Sequence, residues 1–125
     1  MLSPGQDDRL KAALAKLREW GIEASAVISR DGNLLSVFVP AGEEHKIFAP
    51  MYAAMLAAAE QATSELRLGV PRRVVMEIGE RKLIAVGAGP LALMVAFVGE
   101  KAQYPKVIAE IDKTAAEVKV ILATP

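Results

Sequence analysis

The sequence predicts an α+β fold with its elements in the order α-β-β-α-β-β-β-α, in a single domain spanning residues 1–125. Three observations carry this prediction. Three segments repeat apolar residues at the three-and-four spacing of a helix, and five short apolar runs fit strands. The connections between consecutive runs are short, as expected of adjacent antiparallel strands. A chain of 125 residues buries roughly two-thirds of the surface its unfolded form exposes, enough for one core and too little for two full domains.

The first helix is expected over Asp7 to Trp20. Leu10, Ala13, Leu14 and Leu17 form its apolar stripe, Asp7 and Asp8 sit where the helix dipole favours negative charge, and Gly21 stops it. Two strand runs follow, Ala24 to Ser29 and Leu34 to Val39, around Arg30-Asp31-Gly32-Asn33. Asp-Gly at that place signals a hairpin, because both residues tolerate positive φ.

After a polar loop, Pro40 to Lys46, a long helix is predicted from about Ile47 to Arg67. Pro50 is acceptable only in its first turn and so sets the start near Phe48. At about 100° per residue, Phe48, Met51, Tyr52, Met55, Ala59, Ala62 and Leu66 fall on one stripe suited to a sheet. A second surface carries Ala54, Ala58 and Gln61, flanked by Ala53 and Ala57, where a solvated helix normally shows Lys and Glu. No charge occurs between Met51 and Ala59.

Three strands are predicted beyond the Leu68-Gly69-Val70-Pro71 break: Arg73 to Ile78, Lys82 to Ala88, and Leu91 to Val98. Gly79-Glu80-Arg81 turns between the first two and Gly89-Pro90 separates the last two. Leu91 to Val98 is apolar at both parities, which predicts a central strand covered on both faces. The closing helix, Pro105 to Leu122, places Val107 or Ile108, then Ile111, Ala115, Val118 and Leu122, on its core stripe.

Composition narrows the function. Apolar residues make up 53% of the chain, about 58% with glycine counted and tyrosine removed, against about 45–50% for a soluble domain on that definition; the surplus is expected either on a surface that meets a partner or in a core covered on both faces of a sheet. Fifteen basic residues cancel fifteen acidic ones, leaving no global field for nucleic acid or an anionic membrane. The sequence holds no cysteine, which excludes disulfides, thiolate metal sites and cysteine nucleophiles and agrees with a cytoplasmic location. No secretory signal is expected from Met1 to Arg9. The uncharged run Leu83 to Gly99 is broken by Gly87, Gly89 and Pro90 and fits two strands better than a membrane helix.

Signatures of chemistry are missing. Neither a phosphate loop nor a dinucleotide fingerprint occurs, and Gly87-Ala88-Gly89 precedes a proline and a strand where the fingerprint requires a helix. His45, beside Glu43 and Glu44, lacks the ligand spacing of a defined metal site. None of Ser25, Ser29, Ser36 and Ser64 lies in a nucleophile elbow, and a serine nucleophile has only His45 as base. Asp7, Asp8, Glu110, Asp112 and Glu117 belong to polar helix faces. No cofactor and no catalysis are expected.

What remains points to protein contacts. Arg72, Arg73, Arg81 and Lys82 bracket the Arg73 to Ile78 strand, either protecting an edge or meeting a protein; without interleaved aromatics they make no platform for single-stranded nucleic acid. Glu77 has the opposite parity to Val74, Met76 and Ile78, so it faces solvent or an interface. Met51, Met55 and Met76 suit either an adaptable binding surface or the core, and the stripe assignment places the first two in the core.

Several local patterns resemble the roadblock family of dynein light chain relatives, within the roadblock/longin group. They are Ile22-Glu23-Ala24-Ser25-Ala26-Val27-Ile28, Asp31-Gly32-Asn33-Leu34-Leu35, the Ala-rich helix around Met55 to Ala62, the Val74 to Ile78 strand and Leu91-Ala92-Leu93-Met94-Val95. The resemblance implies a profilin-like, five-stranded antiparallel sheet with the long helix on one face and the terminal helices on the other. It implies homodimers in which the Arg73 to Ile78 strand and the long helix meet their symmetry mates, which makes Ala54, Ala58, Gln61, Arg73, Val75 and Glu77 the candidate interface residues. It implies an adaptor or regulator of a small Ras-like GTPase, with no arginine singled out as a catalytic finger. The alternative is a ligand-sensing or purely structural dimer without a GTPase partner.

Overall fold

The computed structural model describes residues 2–40, 42–43 and 47–124. Its elements are α1 (Pro4–Ala15), β1 (Ile22–Ser29), β2 (Leu34–Phe38), α2 (Ala49–Glu65), β3 (Arg73–Ile78), β4 (Arg81–Gly87), β5 (Ala92–Val98) and α3 (Tyr104–Ala123). The five strands form one antiparallel sheet in the order β2-β1-β5-β4-β3. The strand with apolar residues at both parities, β5, occupies the centre, as predicted. A strand there has no solvent on either face, so no polar residue suits it.

Parity divides the core into two layers. Leu10, Leu14 and Leu17 join Val107, Ile111 and Val118 of α3 over Val27, Ile84, Met94 and Val98 on one face. On the other, Ala49, Ala53 and Leu56 of α2 pack on Ala26, Ile28, Leu83, Ala85, Leu93 and Val95. Adjacent β5 residues therefore serve opposite layers, and on α3 the alternative between Val107 and Ile108 resolves to Val107, which is fully buried.

Helix α1 begins earlier than Asp7. Ser3 caps it reciprocally with Gln6: the Gln6 amide N–H donates to Ser3 Oγ at 3.1 Å and the Ser3 amide N–H donates to Gln6 Oε1 at 2.9 Å. The last turns tighten into a 3₁₀ segment, Lys16–Trp20, before Gly21 takes φ 85° against Ala102, where an added Cβ lies 2.9 Å from Ala102 Cβ. The β1–β2 connection is a four-residue loop in which Gly32 alone takes positive φ, 93°, while Asp31 stays in the ordinary region and bonds to Ser29 Oγ. The primed two-residue turn that Asp-Gly signals is thus replaced by a longer loop held by side chains, with the Asn33 amide N–H donating to Ser29 Oγ at 2.9 Å. A two-residue hairpin does occur between β3 and β4, where Ile78 pairs with Arg81 around Gly79 and Glu80. At the far end of the sheet Leu91 lies outside β5 and is exposed.

The orientation of α2 departs from the expected one. Its buried line is Ala49, Ala53 and Leu56, with Tyr52, Met55 and Thr63 half-buried. Phe48, Met51, Ala62 and Leu66, assigned by periodicity to the core, face outward, and Met51 is 63% exposed. The reason is steric. The sheet beneath offers bulky Ile28, Leu83 and Leu93, and the helix meets them with the small Ala49 and Ala53 beside Leu56, Tyr52 and Met55, which leaves Phe48, Met51 and Leu66 on the far side. A segment without charge from Met51 to Ala59 offers no polar face by which to choose the rotation.

Candidate interaction surface

Ala54, Ala58 and Gln61 lie exposed on the outer side of α2. Gln61 is partly engaged, its amide donating to Glu65 Oε1 at 2.8 Å one turn on. Ala57 is exposed beside them, whereas Ala53, expected to flank this surface, is buried against the sheet. Met51 and Ala62 complete an outward apolar stripe that periodicity had assigned to the core. The signal in the sequence that points to it is the absence of charge from Met51 to Ala59, on a face where a solvated helix normally carries Lys or Glu.

The helix is held in place by one half-buried ion pair. Arg30, at the end of the β1 hairpin, donates from Nη1 to Glu60 Oε1 of α2 at 2.9 Å. From Nη2 and Nε it also donates to the Gly89 carbonyl at 2.9 and 3.3 Å. One guanidinium therefore joins α2, the first hairpin and the β4–β5 turn. Gly89 is at φ 85° with its missing Cβ aimed at Lys119 Cγ, 2.7 Å away, so only glycine places its carbonyl there.

Next to α2, β3 forms one edge of the sheet, and among the described residues no strand pairs with its outer side. Val75 is 37% exposed, Met76 43% and Ile78 55%. Met76 and Ile78 share the α2 side with Val74, while Arg73, Val75 and Glu77 share the α3 side. Met76 is accordingly a surface residue, in line with a binding role and against core packing. Continuing from α2 into β3, Leu66, Leu68 and Val70 are also exposed, around Arg67, which takes the left-handed φ of 57° as the helix ends.

The basic residues that bracket β3 are mostly committed within the chain. Arg73 Nη2 donates to Asp112 Oδ2 of α3 at 2.5 Å, Arg81 Nε lies 3.5 Å from Glu23 Oε1, and Lys82 Nζ stands 4.9 Å from the centre of the Tyr104 ring. Arg72 alone of the four makes no bond among the described residues. Glu77 is exposed and likewise makes no bond among the described residues. Of the six sequence-predicted interface residues, then, α2 carries three on its outer side and β3 carries three on its α3 side. The structure brings the two sets to neighbouring elements without joining them into one cluster.

Two side chains bind protons with shifted affinity. Asp31 is held below the usual carboxylate range, first by its bond from Ser29 and then by its own backbone N–H. Burial raises the Tyr52 hydroxyl above its ordinary value of 10.0, in a position where its ring meets Phe97 edge-on at 6.0 Å. His45 and Glu44, weighed as metal ligands, lie outside the described residues. Among the described residues no helix is long and apolar enough to cross a membrane.

Known proteins fit this geometry. The structure of an MglB with tetrameric arrangement superimposes with a TM-score of 0.86 at 23% identity, covering 97% of this chain and 93% of that one. The gliding protein MglB from Thermus thermophilus gives 0.88 at 22% identity, over 100% and 96%. A Roadblock/LC7 domain from Streptomyces avermitilis gives 0.82 at 19% identity, over 91% and 98%. No curated protein sequence matches. The similarity to these structures is one of fold, and the sequence pattern of the Roadblock/LC7 domain matches residues 11–97. The chain belongs to the Roadblock/LC7 domain family.

Proposed function

We propose that this protein is a homodimeric, non-catalytic cytoplasmic adaptor that binds a small Ras-like GTPase. The observation that carries the reading is the pairing of an outward apolar stripe on α2 with an unpaired apolar edge on β3, on the same side of one sheet. Small residues on α2 permit close approach of a second helix, and an open edge extends a sheet across a two-fold axis. Family membership supports a GTPase as the further partner, and the tetrameric arrangement named for a similar MglB supports self-association.

The test of the partner is titration against small GTPases from the same source, loaded with GTP or GDP. Saturable binding in either state supports the assignment; no binding in both removes it. The same titration, followed by GTP hydrolysis, separates a passive scaffold from a modulator. Reproducible thermal stabilisation by a small molecule, without any GTPase binding, favours the ligand-sensing dimer instead.

A further inference from the structure

We infer that the cleft between the start of β3, the β4–β5 turn and α3 binds an aliphatic phosphate monoester, whose phosphate is held by Arg72 and Lys119. The site requires neither a second copy of the chain nor a GTPase, so it stands independently of the proposed dimer.

The cleft lies at the end of the sheet where β4 finishes. Its volume of about 610 Å³ falls in the range of about 300–1,000 Å³ typical of small-molecule sites. Gly87, Ala88 and Gly89 form part of its wall, and the two glycines let cations settle against the turn. A Cβ on Gly89, which is at φ 85°, would lie 2.7 Å from Lys119 Cγ, and one on Gly87 would lie 3.1 Å from Arg30 Nη2.

The charges in the cleft do not balance. Arg30, Arg72 and Lys119 share it with Glu60 and Asp112. Both carboxylates are already neutralised, Glu60 by Arg30 at 2.9 Å and Asp112 by Arg73 of β3. Arg72 and Lys119 are exposed and make no bond among the described residues. Two positive charges are therefore left uncompensated. The cleft at the opposite end of the sheet has less to offer an anion: Arg81 there pairs with Glu23, and the unpaired Glu100 stands beside Arg18 and Lys101, which leaves a surplus of one.

Two free cations in one cleft fit a ligand that carries close to two negative charges. A phosphate monoester has about −1.5 to −2 at pH 7 and three acceptor oxygens, enough for a guanidinium fork and an ammonium together, whereas a carboxylate has a single charge. The rest of the wall selects the body of the ligand. Val70, Pro71, Val86, Ala88, Pro90 and Ala115 are apolar, and among the described residues the wall has no aromatic ring to stack a base and no hydroxyl or amide side chain to bind a sugar. An alkyl chain suits such a wall and a nucleotide does not. The same chemistry occurs in a soluble monoester and in the headgroup of a phosphate lipid.

Isothermal titration calorimetry of the full chain at low salt, with butyl phosphate, pentanoate and inorganic phosphate as probes, tests the site. Butyl phosphate should bind saturably, about tenfold or more tighter than either of the other two, because only it supplies both the second charge and the alkyl body. Arg72→Gln and Lys119→Gln should each weaken it about tenfold or more, while Lys113→Gln, at an exposed α3 lysine outside the cleft, should leave it within about twofold. Circular dichroism checks that each variant is folded, which is expected because all three side chains are exposed.

Flotation with phosphatidylcholine vesicles, with and without phosphatidic acid, separates the two sources. Uptake that needs phosphatidic acid and disappears in Arg72→Gln assigns the site to a lipid headgroup, and butyl phosphate binding without uptake assigns it to a soluble monoester. No saturable binding of butyl phosphate overturns the proposal. So does equal affinity for inorganic phosphate, which marks an adventitious ion only, equal affinity for pentanoate, which removes the need for a second charge, or an equal loss in Lys113→Gln, which marks diffuse surface attraction.

Discussion

Replacing Ala58 by glutamate tests the proposed interface at its least ambiguous point. Ala58 is exposed on the outer side of α2, and its side chain takes no part in either core layer. In a monomer, the change from Ala to Glu at a solvated helix position costs only a few tenths of a kcal/mol of helix propensity. In a dimer that packs α2 on its symmetry mate, helix axes lined by small residues lie about 8 Å apart, and two carboxylates near the axis come within about 6 Å. At an effective dielectric of about 20 their repulsion is roughly 3 kcal/mol, before the cost of removing them from water. Since about 1.4 kcal/mol is tenfold in an equilibrium constant, the dimer dissociation constant should rise a hundredfold or more. Sedimentation equilibrium over a wide concentration range measures this directly, and circular dichroism of the dilute variant separates dissociation from unfolding. An Ala58→Glu protein with the mass and dissociation constant of the parent would refute the placement of α2 at the interface.

Three further outcomes follow from the packing. Arg30→Ala removes the Glu60 pair and both bonds to the Gly89 carbonyl; in this half-exposed position the loss is about 1–2 kcal/mol, read as a fall of roughly 3–8 °C in Tm, with Glu60→Gln costing less than half as much. Arg67→Gly relieves a left-handed non-glycine residue at the C-terminus of α2 and should stabilise by about 0.5–1 kcal/mol, measured by urea unfolding; a loss of stability would contradict the αL cap. Tyr52 has a folded pKa above its unfolded value, so its contribution is complete below pH 10.0 and is lost as pH rises through the folded pKa; Tyr52→Phe should flatten that part of the alkaline stability curve.

Much of the fold was legible because its signals are local. The eight elements, the central place of β5 and the two-sided burial of Leu93 and Met94 follow from periodicity within a few residues of one another. The capping box at Ser3 and Gln6 was equally local, since Ser-x-x-Gln just before an apolar run is its signature, although the periodic stripe alone placed the helix start at Asp7. Among the interface candidates, the exposure of Ala54, Ala58 and Gln61 was legible from the absence of charge around them.

The sequence by itself determined which segments are helices and strands and which strand lies at the centre, because each rests on residue type and spacing along the chain. Only the tertiary structure decided the rotation of α2, the outward turn of Met51 and Met76, and the partners of Arg30 and Arg73. The stretch from Met51 to Ala59 carries no charge to orient it, so the rotation of α2 is fixed by packing on the sheet, where Ala49, Ala53 and Leu56 are buried with Tyr52 and Met55 beside them. The Arg30–Glu60 and Arg73–Asp112 pairs join residues 30 and 39 positions apart, a separation over which spacing carries no information about contact.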